Sequence, residues 1–126
     1  MILDTTFVID LFRKSRDAIE KASELDKRND ILFVTPVTIF ELWYGIDPKE
    51  KKQELLSKFV GDFEILGFDS ESAKNGGSIH SELKTRGIPV DVGDSMIAGI
   101  AMKNNETILT RDEHFSRIKG VTIEKY

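Results

Sequence analysis

Apolar residues along this chain fall into two patterns, short unbroken runs and longer stretches with helical spacing. An unbroken run is typical of a strand that is covered on both faces of a parallel sheet. Runs of this kind predict strands at 1–3, 31–34, 63–68, 107–110 and 121–123. The helical spacing predicts helices at 7–12, 15–27, 37–45, 49–60, 70–86 and 94–102. Because strands alternate with helices, we expect an α/β fold, a three-layer α/β/α sandwich with a central, mainly parallel sheet of four or five strands.

Capping residues mark several of the predicted helix boundaries. Thr35-Pro36 is a start signal, in which the threonine caps the helix and the proline takes its first position. Asp47-Pro48 repeats this signal before the next helix, and Gly87 is a natural stop for the long polar helix. Inside that helix, Gly76-Gly77 is unfavourable by about 1 kcal/mol per glycine relative to alanine.

The composition is that of an ordinary globular protein. With 126 residues, 40% of them hydrophobic and 32% charged, the chain is expected to form one domain over residues 1–126. No apolar run reaches the roughly 18 residues of a transmembrane helix, and the first residues lack the basic leader of a signal or transit peptide. The absence of cysteine excludes disulfides, thiolate metal sites and cysteine nucleophiles, and it fits an expected cytoplasmic location.

The charge balance limits the kind of nucleic-acid binding that is possible. A net charge of −4 at pH 7 argues against a broad basic face, because neutralising phosphates takes clustered lysine and arginine. The surplus acid is therefore either solvated surface or is concentrated where a cation binds.

Four acidic residues are predicted at one edge of the sheet. Ligands of open parallel sheets bind beyond the carboxyl ends of the strands. Asp4 and Asp112 follow the first and fourth strands, and Asp94 starts the helix that leads into the fourth strand. Glu41 lies about one and a half turns into the helix after the second strand. We therefore expect these four carboxylates at the ligand-binding edge.

Each of these acids also has a purely structural interpretation. The three aspartates could be helix N-caps, each worth about 1 kcal/mol. Capping does not explain Glu41, because residues 31–46 are otherwise free of charge. A lone carboxylate in such surroundings loses several kcal/mol by desolvation, roughly, unless it is paired or binds a metal. A salt bridge is the alternative for Glu41.

Convergence of the four acids would require a counter-charge. At separations of about 5 Å, each pair of carboxylates repels by roughly 3 kcal/mol at an effective dielectric constant near ~20. A few such pairs rival the ~5–15 kcal/mol total stability of a small domain. Oxygen ligands in a chain with no cysteine and two histidines, His80 and His114, favour Mg²⁺ or Mn²⁺ over zinc. His114 is expected at the surface of the turn after the fourth strand.

Four segments, in this order, match the motif blocks of a known family: MILDTTFVIDLF, TPVTIFELWYGI, DSMIAGIA and ILTRDEHF. On these blocks the chain resembles the PIN domain family, and in particular the VapC-type toxins of bacterial and archaeal toxin–antitoxin pairs. The resemblance covers nearly the whole chain. It implies a parallel sheet with an acidic pocket that binds Mg²⁺ or Mn²⁺, and a ribonuclease activity toward single-stranded RNA.

The resemblance also implies roles for individual residues. The catalytic and metal-binding acids of the family fall on Asp4, Glu41, Asp94 and Asp112, the same four that the edge placement selects. Thr5 and Thr110 match supporting hydroxyl positions beside the first and the last acid. Asp91 lies outside the blocks and is expected to be a loop residue, with a fifth acid of the site as the alternative. Asp10 is expected to cap or pair on the surface of the first helix.

The mechanistic hypothesis is metal-assisted hydrolysis of a phosphodiester, with one ion or two. Three of the acids would hold the principal ion and Asp112 would complete the site. The basic residues expected at the rim, where RNA phosphates would bind, are Arg13, Lys14, Arg16, Arg111 and Arg117. The resemblance further implies a homodimer and a cognate VapB-type antitoxin whose C-terminal segment docks near the acidic pocket.

Three alternatives belong to other classes of protein. A non-enzymatic receiver-like signalling domain needs adjacent acids after its first strand and an acceptor aspartate after its third, where this chain has only Asp4 and Asp69. A haloacid-dehalogenase-type phosphatase needs a second aspartate two residues after the first, a position that Thr6 occupies. A PIN-like module that binds RNA without cleaving it is the third alternative.

Overall fold

A computed structural model describes residues 1–126 and contains five strands and six α-helices. The strands are β1 (Ile2–Leu3), β2 (Phe33–Val34), β3 (Glu64–Ile65), β4 (Ile108–Leu109) and β5 (Ile123–Glu124). The helices are α1 (Thr5–Phe12), α2 (Arg16–Lys27), α3 (Pro36–Tyr44), α4 (Lys52–Gly61), α5 (Ser70–Thr85) and α6 (Val92–Asn104), and a 3-10 helix spans Glu113–Arg117. None of these helices is both long enough and apolar enough to cross a membrane.

All five strands are parallel and lie in the order β3-β2-β1-β4-β5. This confirms the predicted α/β fold and gives the sheet five strands. It also departs from the receiver-like arrangement, in which the strand order of the flavodoxin-like sheet is 2-1-3-4-5. The strand order reverses direction at β1, so the carboxyl ends of β1, β2 and β4 form the crevice in which such sheets bind ligands.

The sheet separates two apolar clusters because successive residues of a strand point to opposite faces. Ile2 and Ile108 pack into a cluster with α5 and α6, whereas Leu3 and Leu109 pack into a second cluster with α1, α2 and α4. All four of these side chains are fully buried. The result is the predicted three-layer α/β/α sandwich.

The observed strands are shorter than the apolar runs that predict them. Ile31 is 59% exposed although it stands in an apolar run, and Ile65 is 57% exposed because β3 is an edge strand. Asp47-Pro48 does not start a helix directly: the Asp47 carboxylate accepts from the Lys49 amide at 3.0 Å in a turn, and α4 begins at Lys52. The prediction for α3 is confirmed, with the Thr35 hydroxyl accepting from the Thr38 amide at 3.2 Å.

Close packing of α5 against α6 explains the glycines within these helices. A Cβ at Gly99 would lie 2.3 Å from the Ser72 carbonyl oxygen, and one at Gly76 would lie 2.8 Å from the Ser95 carbonyl oxygen. The backbones therefore approach too closely for any side chain at these two positions. This contact fixes α6, the helix that carries Asp94 to the ligand-binding edge.

Candidate active site

Asp4 lies at the centre of the carboxyl edge of the sheet, between β1 and α1. One carboxylate oxygen accepts from the Thr5 amide at 2.8 Å and caps α1, and the other accepts from the Thr110 hydroxyl at 2.8 Å. The residue is only 4% exposed. Asp4 is therefore a helix cap, as its structural interpretation predicts, and it is also close enough to Glu41 and Asp112 for their charges to act on it.

Two threonines connect the acids of different elements. The Thr5 hydroxyl donates to Glu41 Oε1 on α3 at 3.1 Å. The Thr110 hydroxyl, which donates to Asp4, also accepts from the Asp112 amide at 2.9 Å. Thr5 therefore contacts the Asp4 carboxylate through its amide and the Glu41 carboxylate through its hydroxyl, and the Thr110 hydroxyl joins the Asp4 carboxylate to the Asp112 backbone.

Glu41 projects from α3 toward the first turn of α6, where it meets Gly93. A Cβ at Gly93 would lie 3.2 Å from Glu41 Oε1, so the absence of a side chain there makes room for the carboxylate. Burial raises the pKa of Glu41, the Thr5 hydrogen bond opposes this, and the negative charge of Asp91 raises the pKa further. Gly93 has a role in the site that the sequence patterns do not single out.

Helix α6 brings two aspartates to the site rather than one. The helix begins at Val92, two residues earlier than predicted, so Asp94 is in its first turn and is not its cap. Asp91 stands at the N-cap position without making a side-chain capping bond, and its charge raises the pKa of both Glu41 and Asp94. Asp91 lies in the loop before α6, as expected, and its charge acts on two of the predicted acids, which favours the alternative of a fifth acid in the site.

Asp112 precedes the 3-10 helix and caps it. Its Oδ1 accepts from the His114 amide at 2.9 Å, and His114 Nδ1 lies 3.0 Å from the same oxygen. Ligand atoms of Asp94, Asp112 and His114 all lie within 4.8 Å of one another. His114 is exposed, as predicted, yet it stands at the edge of the acidic site.

The charge of this group is not compensated within the chain. No lysine or arginine forms an ion pair with Asp4, Glu41, Asp91, Asp94 or Asp112. Burial, with the charges of neighbouring acids, raises the pKa of Asp94 to about 7. Burial also raises the pKa of Asp4 to about 6, although the hydrogen bonds from Thr110 and Thr5 oppose the rise. The salt-bridge alternative for Glu41 is not observed.

This donor set fits a hard divalent cation. Carboxylate oxygens are the ligands that Mg²⁺ and Mn²⁺ prefer, and repulsion among unpaired carboxylates is relieved when such an ion binds. Gly93 leaves space beside the Glu41 carboxylate, and we call this space, together with the carboxylates around it, the cradle for the ion.

A small apolar groove opens beside Glu41, between α1, α3 and α4. Its cavity volume is about 110 Å³. The apolar side chains of its lining are Ile9, Phe12, Leu42, Ile46 and Leu56. Glu41, Arg13 and Lys52 supply its charged groups. The groove therefore joins an apolar surface to the acidic site.

Asp10, expected on the surface of α1, is buried instead. Its carboxylate accepts from the Tyr126 hydroxyl at 2.7 Å and from Arg111 Nη2 at 3.4 Å. The expectation that Asp10 is paired is confirmed. The expectation that it lies on the surface is wrong, because its partners come from the far end of the chain and cover it.

Comparison with known proteins gives relatives over the full length of the chain. Ribonuclease VapC2 of Rickettsia felis is 27% identical over 99% of this chain and 96% of the relative. The tRNA(fMet)-specific endonuclease VapC of Salmonella typhimurium is 29% identical over the same shares of the two chains.

Solved structures agree with these sequence relatives. The crystal structure of VapBC2 from Rickettsia felis, bound to a DNA fragment of its promoter, contains a chain with a TM-score of 0.86 and 26% identity to this one. The match covers 99% of this chain and 97% of that chain. The family model of the PIN domain matches residues 1–121. The protein belongs to the PIN domain family.

Proposed function

We propose that this protein is a Mg²⁺- or Mn²⁺-dependent endoribonuclease and the toxin of a VapBC-type toxin–antitoxin system. The observation that carries the proposal is the uncompensated acidic group at the switch point of the sheet, linked by Thr5 and Thr110. The relatives that match the whole chain are named ribonucleases or endonucleases, which supports the same conclusion. We further propose that the protein acts in the cytoplasm.

The chain's own residues would bind the ion and keep it accessible. We assign Asp4, Glu41, Asp94 and Asp112 as the ligands, directly or through water. A divalent ion in such a site activates water and stabilises negative charge on phosphate oxygens. Thr5 and Thr110 hold the carboxylates of Asp4 and Glu41 in fixed orientations through hydrogen bonds of 2.8–3.1 Å. Asp91 strengthens the attraction for a cation through its own charge.

The substrate proposed for this site is RNA, either single-stranded or structured. The acidic pocket repels a polyanion unless a cation is bound, so RNA and metal should bind cooperatively. The relative from Salmonella typhimurium is named for one tRNA, which supports RNA as the substrate class.

A cognate VapB-type antitoxin is the proposed protein partner, and the groove beside Glu41 is its proposed docking site. A segment with apolar side chains would fill the groove between Phe12 and Ile46, and a basic side chain would complement Glu41. We expect Ile46→Glu to abolish co-purification with the co-expressed antitoxin, and a melting scan checks that the variant is folded, because Ile46 also packs against the apolar cluster of α1, α2 and α4. Undiminished co-purification would contradict this assignment.

A homodimer is the proposed assembly, formed through an uncharged face of α3 and α6. Phe40, Tyr44 and Val92 are 68%, 85% and 55% exposed, and the Phe40 and Tyr44 rings stack at 6.2 Å. Phe40 also borders an apolar groove with Phe68 and Met96. Large exposed apolar patches are uncommon on monomers and mark interaction surfaces. Light scattering should give twice the chain mass for the wild type and the chain mass for Tyr44→Glu.

The decisive test of the enzymatic proposal compares RNA cleavage by the wild type and by Asp94→Asn with Mn²⁺, with Mg²⁺ and with a chelator. The control variant is Asp17→Asn, which removes one charge from the exposed surface of α2. We expect cleavage by the wild type and the control with either ion, and none by Asp94→Asn or in chelator. Cleavage that persists both in Asp94→Asn and in chelator contradicts the proposal. A wild-type protein that binds RNA without cleaving it supports the binding-module alternative.

A further inference from the structure

Asp10 is a buried acid that the acidic site does not use. It lies on α1, is 9% exposed, and joins three parts of the chain. Its Oδ2 accepts from the Tyr126 hydroxyl at 2.7 Å, after β5. Its Oδ1 lies 3.4 Å from Nη2 of Arg111, in the connection between β4 and the 3-10 helix.

Arg111 stands between two residues of the acidic site. Thr110 before it donates to Asp4, and Asp112 after it is one of the assigned ligands. The Arg111 side chain is 58% exposed, and its one ion-pair partner is Asp10. Only Nη2 contacts that carboxylate, so the other guanidinium donors are free to bind a ligand from solvent.

Asp10 is itself held in one orientation. Tyr126 donates to it and packs edge-on against Phe7 of α1, with ring centroids 4.7 Å apart. A guanidinium anchored by a fixed, buried carboxylate loses less side-chain freedom when it binds a ligand. Its planar set of donors matches a phosphate, whose oxygens accept two parallel hydrogen bonds.

We propose that Arg111 binds a backbone phosphate of the RNA substrate and that Asp10, held by Tyr126, is the positioning residue for Arg111. The inference rests on the ribonuclease function proposed above. It assigns a specific task to one of the basic residues predicted at the rim, and it gives a role to the buried Asp10, which contacts Arg111 and Tyr126.

The first experiment measures the affinity of a fluorescent single-stranded oligoribonucleotide for the Asp94→Asn protein as a function of salt, so that cleavage does not interfere. Adding Arg111→Ala should lower the affinity about fivefold to tenfold and reduce the salt slope by about 0.7, the value for one phosphate contact on a single strand. The control is Lys27→Ala, which removes an exposed, unpaired charge at the end of α2. It should change neither quantity appreciably.

The second experiment separates positioning from simple electrostatics. Asp10→Asn removes a negative charge, so electrostatics alone predicts tighter binding of RNA, as expected for the control Asp26→Asn on α2. Positioning predicts weaker binding for Asp10→Asn, and a smaller loss for Tyr126→Phe, which changes no charge. Both losses should disappear when Arg111 is already alanine, because the positioned group is absent.

Clear outcomes would overturn the inference. Affinity of Arg111→Ala equal to that of Lys27→Ala excludes the phosphate contact, and tighter or unchanged binding by Asp10→Asn excludes the positioning role. Melting temperatures identify a variant that fails to fold, in which case Tyr126→Phe gives the answer. A wild-type protein that neither binds nor cleaves RNA refutes the proposed function itself. Normal cleavage by the wild type, together with an RNA affinity that Arg111→Ala does not change, refutes only this inference.

Discussion

Asp94 is the residue at which function and stability conflict most directly. Its pKa is raised to about 7, first by burial and then by the charges of Asp4, Asp112, Asp91 and Glu41. An acid whose pKa is higher in the folded than in the unfolded chain destabilises the fold once it is ionised. In the absence of metal, the folded state therefore tolerates Asp94 as a carboxylate only at the expense of stability.

We expect Asp94→Asn to stabilise the metal-free protein while abolishing cleavage. At pH 8 the gain in the free energy of unfolding should be about 1–2 kcal/mol, once solvent screening of this partly exposed group is considered. Urea unfolding in chelator measures it. At pH 3, below the value of 3.8 for an ordinary aspartate, wild type and variant should be nearly equal, because the aspartate is then largely protonated in both the folded and the unfolded chain. A variant less stable than the wild type at pH 8 would contradict this account.

Thr110 is the residue whose single hydroxyl serves two acids. It donates to Asp4 and accepts from the Asp112 amide, and it is fully buried. Thr110→Val keeps the shape and removes both bonds, so we expect a loss of about 1–3 kcal/mol in the free energy of unfolding. The Asp4 pKa should rise further, and cleavage should require a higher pH.

The control for Thr110→Val is Thr85→Val. The Thr85 hydroxyl bonds only to the Ser81 carbonyl on the exposed face of α5, so this change should remain within about 0.5 kcal/mol of the wild type. Thr110→Ser should restore most of the stability and the pH profile. Equal losses in the two valine variants would show that the bridging hydroxyl has no special role.

Sequence reasoning identified the acids that follow strands more reliably than those placed by tertiary contacts. Asp4 and Asp112 could be assigned to the binding edge because the carboxyl end of a parallel strand fixes its neighbour's position. The sequence does not decide between a loop residue and a fifth acid for Asp91, and it does not predict that Asp10 is buried, because their surroundings depend on where α6 begins and on residues far along the chain. Edge placement reveals where an acid lies, but long-range partners decide how buried it is.

At the scale of the elements, a helix start with a local capping bond was predictable, whereas the limits of the strands and the starts of α4 and α6 were not. The start of α3 at Pro36 was predicted from Thr35, because the capping bond of Thr35 is local. Only the last two residues of the apolar run 31–34 form β2, because pairing with β1 and β3 decides which residues are in the sheet. The Gly76-Gly77 pair weakened the prediction of α5, yet Gly76 is what allows α6 to approach.

Gly93 in α6 yields a prediction that separates helix stability from site geometry. Gly93→Ala should favour the helix by about 0.5–1 kcal/mol, but its Cβ would lie 3.2 Å from Glu41 Oε1 and displace that carboxylate. We therefore expect an unchanged or higher melting temperature with Mn²⁺ affinity reduced about tenfold. Calorimetric titration with Mn²⁺ measures the affinity directly.

The matched control is Gly77→Ala on α5, where a Cβ would meet nothing within 4 Å. The same gain in helix stability is expected there, with Mn²⁺ affinity unchanged. If Gly93→Ala binds Mn²⁺ as tightly as the wild type, Gly93 is not part of the cradle and Glu41 either moves freely or is not a ligand.

At the scale of the whole molecule, the acidic site makes the stability of the fold depend on pH and metal together. Asp94 and Asp4 have pKa values of about 7 and about 6 in the folded chain, against 3.8 for an ordinary aspartate. Between pH 3.8 and about pH 7 the folded state therefore binds more protons than the unfolded state. Stability from these two groups is therefore greatest at low pH and is lost as the pH rises through 6 and 7.

A divalent ion should reverse this trend, because it binds only the deprotonated carboxylates of the folded state. We expect the melting temperature in chelator to fall between pH 5.5 and pH 8, and the increase in melting temperature produced by Mn²⁺ to be larger at pH 8 than at pH 5.5. At each pH the free energy of unfolding should rise by roughly RT ln(1 + [Mn²⁺]/Kd), with the Kd at that pH. Differential scanning fluorimetry measures both. In Asp94→Asn the two effects should shrink together, since proton and ion compete for the same oxygens. An Mn²⁺ effect that is independent of pH would mean that the ion binds elsewhere, and the acids at the sheet edge would then need another counter-charge.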